Sequence, residues 1–293
     1  MTVTDSTTRF LFENTHIRGE LTQIARPLQE VLSKHNYPKT VQPLLGEFMA
    51  AAAMLSDTIK FDGILTLQVK GSGQVRTLMA ECRNNEALRA IAQYNDDFDD
   101  SGALLGEGQM AITIDPEKGH RYQGIVQIND NDIRLAKALE DYFLQSEQIK
   151  TRVWLFADNN AAAGLMLQAM PRSASESSLD SHEEDEDWER LNFLAETLKP
   201  EEALTLDTTT LLHRLFHEET VRVFPARHLH FECTCSEERS ANAIITLGQQ
   251  DAIEIAKEQG HIEIDCQFCH ARYAFNLQQV KDLFSPTSED AIN

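Results

Sequence analysis

Cys233-Thr234-Cys235 and, thirty residues further on, Cys266-Gln267-Phe268-Cys269 hold four of the five cysteines in this 293-residue chain. Two short chelates joined by a folded loop supply the four soft donors of a tetrahedral all-cysteine zinc site. One arm is C-x-C, where structural zinc modules usually have C-x2-C or wider on both sides. Its sulfurs are held very close together, so each pair is placed to oxidise internally if the metal leaves. The spacing alone leaves open whether such a site is a static zinc ribbon or a switch. Two structural disulfides fit less well. Residues 1–20 contain acids and threonines but no apolar run of signal-peptide length, which makes a reducing cytoplasm the expected compartment. A thioredoxin-like site needs only one C-x-x-C after a strand of a βαβ unit.

Around the cysteines, residues 221–293 alternate strand and helix patterns. Strands are expected at 231–235 and 261–265, each running into a cysteine pair, and at 273–275 leaving the second. Helices fit 241–247 and 251–259, with Gly248 and Gly260 as stops. About 70 residues with few large apolar side chains is near the size at which a metal must supplement the core. Structural zinc contributes about 10–16 kcal/mol of apparent folding free energy in small zinc peptides, so its loss should melt this segment.

Upstream, the pattern is that of an α+β protein. The expected organisation is an N-terminal mixed sheet-and-helix domain over 1–175, an acidic, helical and metastable linker over 176–226, and a small C-terminal four-cysteine domain over 227–293. Alternation marks strands at 9–13, 17–24 and 64–70, the last turning through Gly71-Ser72-Gly73 into 74–80. Further hairpins pair 110–114 with 122–128, and 153–156 with 165–170. Helices fit 27–35, 41–56 and 133–146. The serine-rich 171–181 and the five acids 183–187 read as a linker. Ser181 and Glu184 are spaced as a capping box, and Trp188, Leu191, Leu194 and Leu198 recur at helical spacing before Pro200 stops the helix. A second helix starts near Asp207 and presents Leu211, Leu212, Leu215 and Phe216. Such helices have one apolar face and little mass, and must dock to be stable.

The charge balance, 47 acids against 26 bases for a net −21, repels phosphate backbones and anionic lipid. A zinc-ribbon nucleic-acid module is therefore disfavoured, and the most apolar stretch, 48–55, is too short to span a bilayer. Of the histidines, His228, His230 and His270 flank the cysteine pairs, but four thiolates already complete the shell. His213 and His217 lack the H-E-x-x-H pattern of a metalloprotease. Cys82 reads as a small buried residue. No Ser-His-Asp set or carboxylate pair stands out, although an enzyme with a purely structural zinc site remains the alternative.

A thiolate is the form of cysteine that oxidants attack, so a four-thiolate zinc site stores reactive sulfur while protecting the fold. Once oxidised, its ligands release the metal. If helices 183–220 dock on this domain, they lose support and expose Trp188, Leu191, Phe193, Leu194, Leu211 and Phe216. An apolar face newly bared on a highly charged protein suits the holding of unfolding clients. The chain resembles the redox-regulated heat-shock protein thirty-three family of chaperones. The resemblance is carried by Cys233-x-Cys235-Ser236 with Phe231, and by Cys266-x-x-Cys269 with Tyr273 and Phe275. It extends through Arg18-Gly19-Glu20, Lys60-Phe61-Asp62-Gly63, Tyr122-Gln123-Gly124, Asp141-Tyr142-Phe143, Ser146-Glu147-Gln148 and His217-Glu218-Glu219. It implies one Zn2+ on Cys233, Cys235, Cys266 and Cys269 in a reduced, inactive state. It also implies activation by oxidation to Cys233–Cys235 and Cys266–Cys269, with the C-x-x-C pair first. The implied activity is ATP-independent holding of unfolded or misfolding clients, which pass later to a foldase chaperone system, and the active form is a homodimer.

Overall fold

The computed structural model describes residues 3–59, 62–128, 135–170 and 181–285, with the side chains of 181–184 left aside. Lys60, Phe61, the start of the helix expected over 133–146, the serine-rich 171–180 and the Ser181/Glu184 capping side chains lie outside the described residues. Contacts divide the chain into two units, Met1–Glu232 and Cys233–Asn293.

The first unit opens with β1 (Ser6–Phe12) and β2 (Ile17–Ile24), followed by α1 (Arg26–Lys34) and α2 (Val41–Thr58). Three strands follow, β3 (Gly63–Gly71), β4 (Val75–Arg83) and β5 (Ala87–Tyr94), then the hairpin β6 (Gly108–Pro116) and β7 (Tyr122–Ile128). Next come α3 (Leu135–Tyr142), closed by a wide π turn over Phe143–Glu147, and the hairpin β8 (Thr151–Ala157) and β9 (Ala162–Ala169). Three helices, α4 (Ser181–Glu196), α5 (Pro200–Thr205) and α6 (Thr208–Phe216), lead to short strands β10 (Val221–Val223), β11 (Arg227–His228) and β12 (His230–Phe231).

These strands form two sheets. The first has order β10-β1-β2-β9-β8, with β11 also on β1, and is antiparallel throughout. The second has order β12-β5-β4-β3-β6-β7, antiparallel except where β12 joins β5. Helix α2 is apolar around most of its circumference, the mark of an interior helix. Its Leu45, Phe48, Met49 and Met54 are fully buried, and it packs on strands of both sheets.

The first sheet is covered on both faces, so β9 is apolar at nearly every position instead of alternating. Ala162 and Met166 join the core around α2, while Ala163, Leu165 and Leu167 face the other way with Phe10, Phe12, Ile17 and Leu21. Helices α4–α6 close that second face through Leu191, Ala195, Leu198, Leu211, Leu212, Leu215 and Phe216. The apolar helix face thus docks on the first sheet, which has an aromatic and aliphatic surface to offer.

Other local expectations are revised. Residues 183–187 lie in the opening turns of α4, so the acidic run is helical rather than part of a loop. Pro200 stands at the start of α5 rather than merely ending α4, a position where its missing N–H costs nothing. The strand expected over 231–235 is regular only at His230–Phe231. Asp207 caps α6 as its position implies, accepting from the Thr210 amide at 3.0 Å.

The second unit holds α7 (Glu237–Leu247), α8 (Gln249–Gln259), the hairpin β13 (His261–Asp265) and β14 (Arg272–Asn276), and α9 (Leu277–Asp282). Gly248 and Gly260 end the two longer helices with positive φ. Among the described residues its core is seven buried side chains: Ala241, Ile244, Ala252, Ala256, Ile262, Phe275 and Val280.

Candidate metal centre

The two cysteine arms come from different local structures. Cys233 and Cys235 lie in the irregular stretch before α7, whose N-cap Ser236 accepts from the Arg239 amide at 3.1 Å. Arg239 also donates from Nη1 to the Thr234 hydroxyl at 2.7 Å, which ties down the middle of the C-x-C arm. Cys266 and Cys269 occupy the turn between β13 and β14. There the Cys266 amide donates to the Ala271 carbonyl and the His270 amide to the Cys266 carbonyl, both at 2.9 Å. His270 completes that turn in the left-handed region, φ 59°.

All four sulfurs lie within 4.8 Å of one another. Two close separations cross the arms, 3.5 Å between Cys233 and Cys266 and 3.4 Å between Cys235 and Cys269. A tetrahedral zinc–thiolate centre with bonds of about 2.3 Å has sulfur–sulfur edges of about 3.8 Å, inside this range. The donor set fits a metal chemically as well. Burial pushes the Cys269 thiol up to about 12, and the neighbouring sulfurs add to the shift. A cation among the sulfurs would be what holds them as thiolates at neutral pH. The Tyr273 hydroxyl on β14 donates to Cys235 Sγ at 3.3 Å, a contact that cysteine spacing does not reveal. The only hint in the sequence is a tyrosine four residues after the second pair. Among the described residues no histidine joins the four-sulfur group. Cys82 is buried on β4, its thiol pushed up to about 12 by burial, which leaves it unreactive.

The remaining candidate residues lie on α4 and α6. Leu191, Leu211 and Phe216 are buried, and Trp188 and Leu194 are packed at the edge of the same cluster. Phe216 lies edge-on to Phe12, with ring centroids 4.9 Å apart. Phe193 points outward and is 70% exposed.

The model of the Hsp33 protein family matches residues 5–276. The chain belongs to the Hsp33 family. A 33 kDa chaperonin of Pseudomonas savastanoi pv. phaseolicola is 48% identical, over 98% of this chain and 96% of its own length. One from Pseudomonas paraeruginosa is 47% identical, over 97% of this chain and 96% of its own. The crystal structure of the 33 kDa chaperonin of Thermotoga maritima superposes with a TM-score of 0.77, covering 95% of this chain and 97% of that one at 19% identity, a likeness of fold. Hsp33 is a chaperonin family and not an enzyme family, which sets aside the alternative of a catalytic N-terminal domain. The Hsp33 architecture here is a mixed α/β body followed by a four-cysteine cluster able to hold a metal ion. No helix among the described residues is long and apolar enough to cross a membrane.

Proposed function

We propose that this Hsp33 chain is a redox-regulated, ATP-independent holdase. Its Cys233, Cys235, Cys266 and Cys269 hold one Zn2+ in the reduced, inactive state. The observation that carries the proposal is the convergence of four sulfurs beside a core of only seven buried side chains. Bound zinc supplies positive charge that keeps the sulfurs as thiolates, and folding free energy that so small a core lacks.

Under peroxide, one sulfur of a pair attacks the O–O bond and becomes a sulfenic acid, releasing water. Its neighbour then displaces the hydroxyl as a second water, closing the disulfide. Two peroxides, with four protons from solvent, thus convert four thiolates into Cys233–Cys235 and Cys266–Cys269 with four waters. All four sulfurs lie within 4.8 Å of one another, and the pairing within each arm is the one that the two short spacers and the family resemblance imply. Disulfides donate no thiolate, so the ion is lost together with its contribution to folding.

We assign residues 1–175 as the core domain, 176–226 as the metastable linker and 227–293 as the redox-switch domain. Residues 227–232 alone separate the linker from Cys233, so loss of structure in the second unit reaches the linker along the chain. Release of α4 and α6 bares Trp188, Leu191, Phe193, Leu194, Leu211 and Phe216 for unfolded or misfolding clients in the cytoplasm. The net charge of −21 keeps the complexes dispersed and excludes nucleic acid and membranes as partners. The active form is a homodimer that passes clients to a foldase chaperone system after reduction.

The test follows zinc with a colorimetric chelator during peroxide treatment at raised temperature. Helical circular dichroism and suppression of client aggregation are recorded in parallel. One zinc lost per chain, with falling helicity and rising holding, supports the switch. Zinc loss without gain in holding, or equal holding by the reduced protein, sinks it.

A further inference from the structure

Four sequence blocks that carry the family resemblance away from the cysteines meet at one place in the first unit. Arg18 on β2, Tyr122 on β7, Tyr142 at the end of α3 and Glu147 in the π turn all line a cavity of about 360 Å³, with Gln168 of β9 beside them. Its apolar wall includes Leu65, Ile112, Ile114 and Phe143. Packing explains the glycine of the Tyr122-Gln123-Gly124 block, since a Cβ on Gly124 would stand 2.3 Å from the Tyr142 ring. Packing does not explain Arg18. Its Nε and Nη2 both donate to Gln168 Oε1, at 3.0 and 2.5 Å. Among the described residues no carboxylate pairs with its guanidinium within 4.0 Å, unlike Arg9 on the adjacent strand β1, which pairs with both Glu20 and Asp57. Glu20 and Asp57 act on Arg18 only at a distance, and burial outweighs them. A partly buried cation against an apolar wall is costly until an anion pairs with it directly.

We propose that this cavity binds a monocarboxylate with an apolar tail, its carboxylate on Arg18 and its tail along Leu65, Ile112 and Phe143. Supporting this, burial holds Arg18 below its ordinary pKa, the shift a desolvated cation shows. The cavity size matches small-molecule sites, which are mostly apolar with a few polar groups that fix orientation. Glu147 at the exposed rim accepts from the Tyr142 hydroxyl at 3.3 Å and repels a second negative charge, so a dicarboxylate is selected against. This binding activity lies outside the holdase reading and stands or falls separately from it.

Calorimetry on the reduced, zinc-loaded full chain compares octanoate, octanol and octylamine. Octanoate binds one per chain and about tenfold tighter than octanol, the contribution of a hydrogen bond to a charged group. Arg18→Gln removes that preference and leaves octanol binding unchanged. Ile114→Trp, which fills the apolar wall without touching Arg18, abolishes both. If Arg18→Gln does not fold, as judged by circular dichroism, the three-probe comparison and Ile114→Trp decide. The proposal is overturned by octylamine binding as tightly as octanoate, or by an unchanged preference in folded Arg18→Gln. It is equally overturned if octanoate shows no saturable binding tighter than about 1 mM.

Discussion

Glu20 sits on β2 with no exposed surface, between Arg9 at 3.1 Å and the buried Asp57, which Arg227 also contacts at 2.8 Å. Desolvation first, then the negative charge of Asp57, push Glu20 up to about 8 from an ordinary 4.5, against the opposing pull of Arg9. The folded protein therefore keeps a proton that the unfolded chain gives up near pH 4.5. Folded chains bind more protons than unfolded ones between about pH 4.5 and 8, so this group's contribution to stability is full at the acid end and lost as pH rises to about 8. Glu20→Gln mimics the protonated acid. It should melt higher than the parent near pH 8, and the difference should shrink toward pH 5. Paired thermal melts across that window check it, and a constant difference would remove Glu20 as the cause. At the metal centre, Tyr273→Phe deletes the donor to Cys235. Loss of such a supporting hydrogen bond should weaken metal binding by about 10–100-fold in chelator competition, while a wild-type affinity would make Tyr273 a packing residue only.

Between residue and molecule stand α4, α5 and α6. Phe216 is buried against Phe10 and Phe12, so Phe216→Ala should cost about 3–5 kcal/mol of local stability. In the reduced protein this should free the helices, raise amide exchange in α4–α6 and produce holding without oxidant. Normal exchange in that variant would mean the helices are anchored elsewhere. Phe193, at 70% exposure, gives the contrasting case: Phe193→Ala should leave stability within about 0.5 kcal/mol and, after oxidation, weaken client holding. The periodic leucines and the Asp207 cap made these helices legible in sequence. The surface beneath them was not legible, because β1, β2 and β9 supply it from far upstream. Strand β5 was missed for a related reason. Ala87-Leu88-Arg89-Ala90 has good helix formers, and only pairing with β4 on one side and β12 on the other makes it a strand. Pro200 was read as a stop because proline ends helices, yet it also starts them.

At the scale of the whole chain, the four-cysteine cluster was readable because its sulfurs are local, two pairs each within four residues. The Arg18 cavity was not, because its walls come from β2, α2, β3, β6, β7, α3 and β9, and only the folded chain brings them together. The two units also differ in what holds them. The first has a large core around α2 between two sheets, and the second has seven buried side chains and four sulfurs. The stability of the second unit should therefore depend on the metal, and that of the core around α2 should not. Treating reduced protein with a strong chelator should abolish amide-exchange protection in α7, α8 and the β13–β14 hairpin while α2 and its flanking strands keep theirs. In calorimetry the metal-loaded chain should melt in two transitions and the metal-free chain should retain only the one belonging to the α2-centred core of Met1–Glu232. If chelation lowers both transitions equally, the units unfold as one and the metal stabilises the entire molecule. If it lowers neither, the sulfurs hold no structural ion and the small core stands by itself.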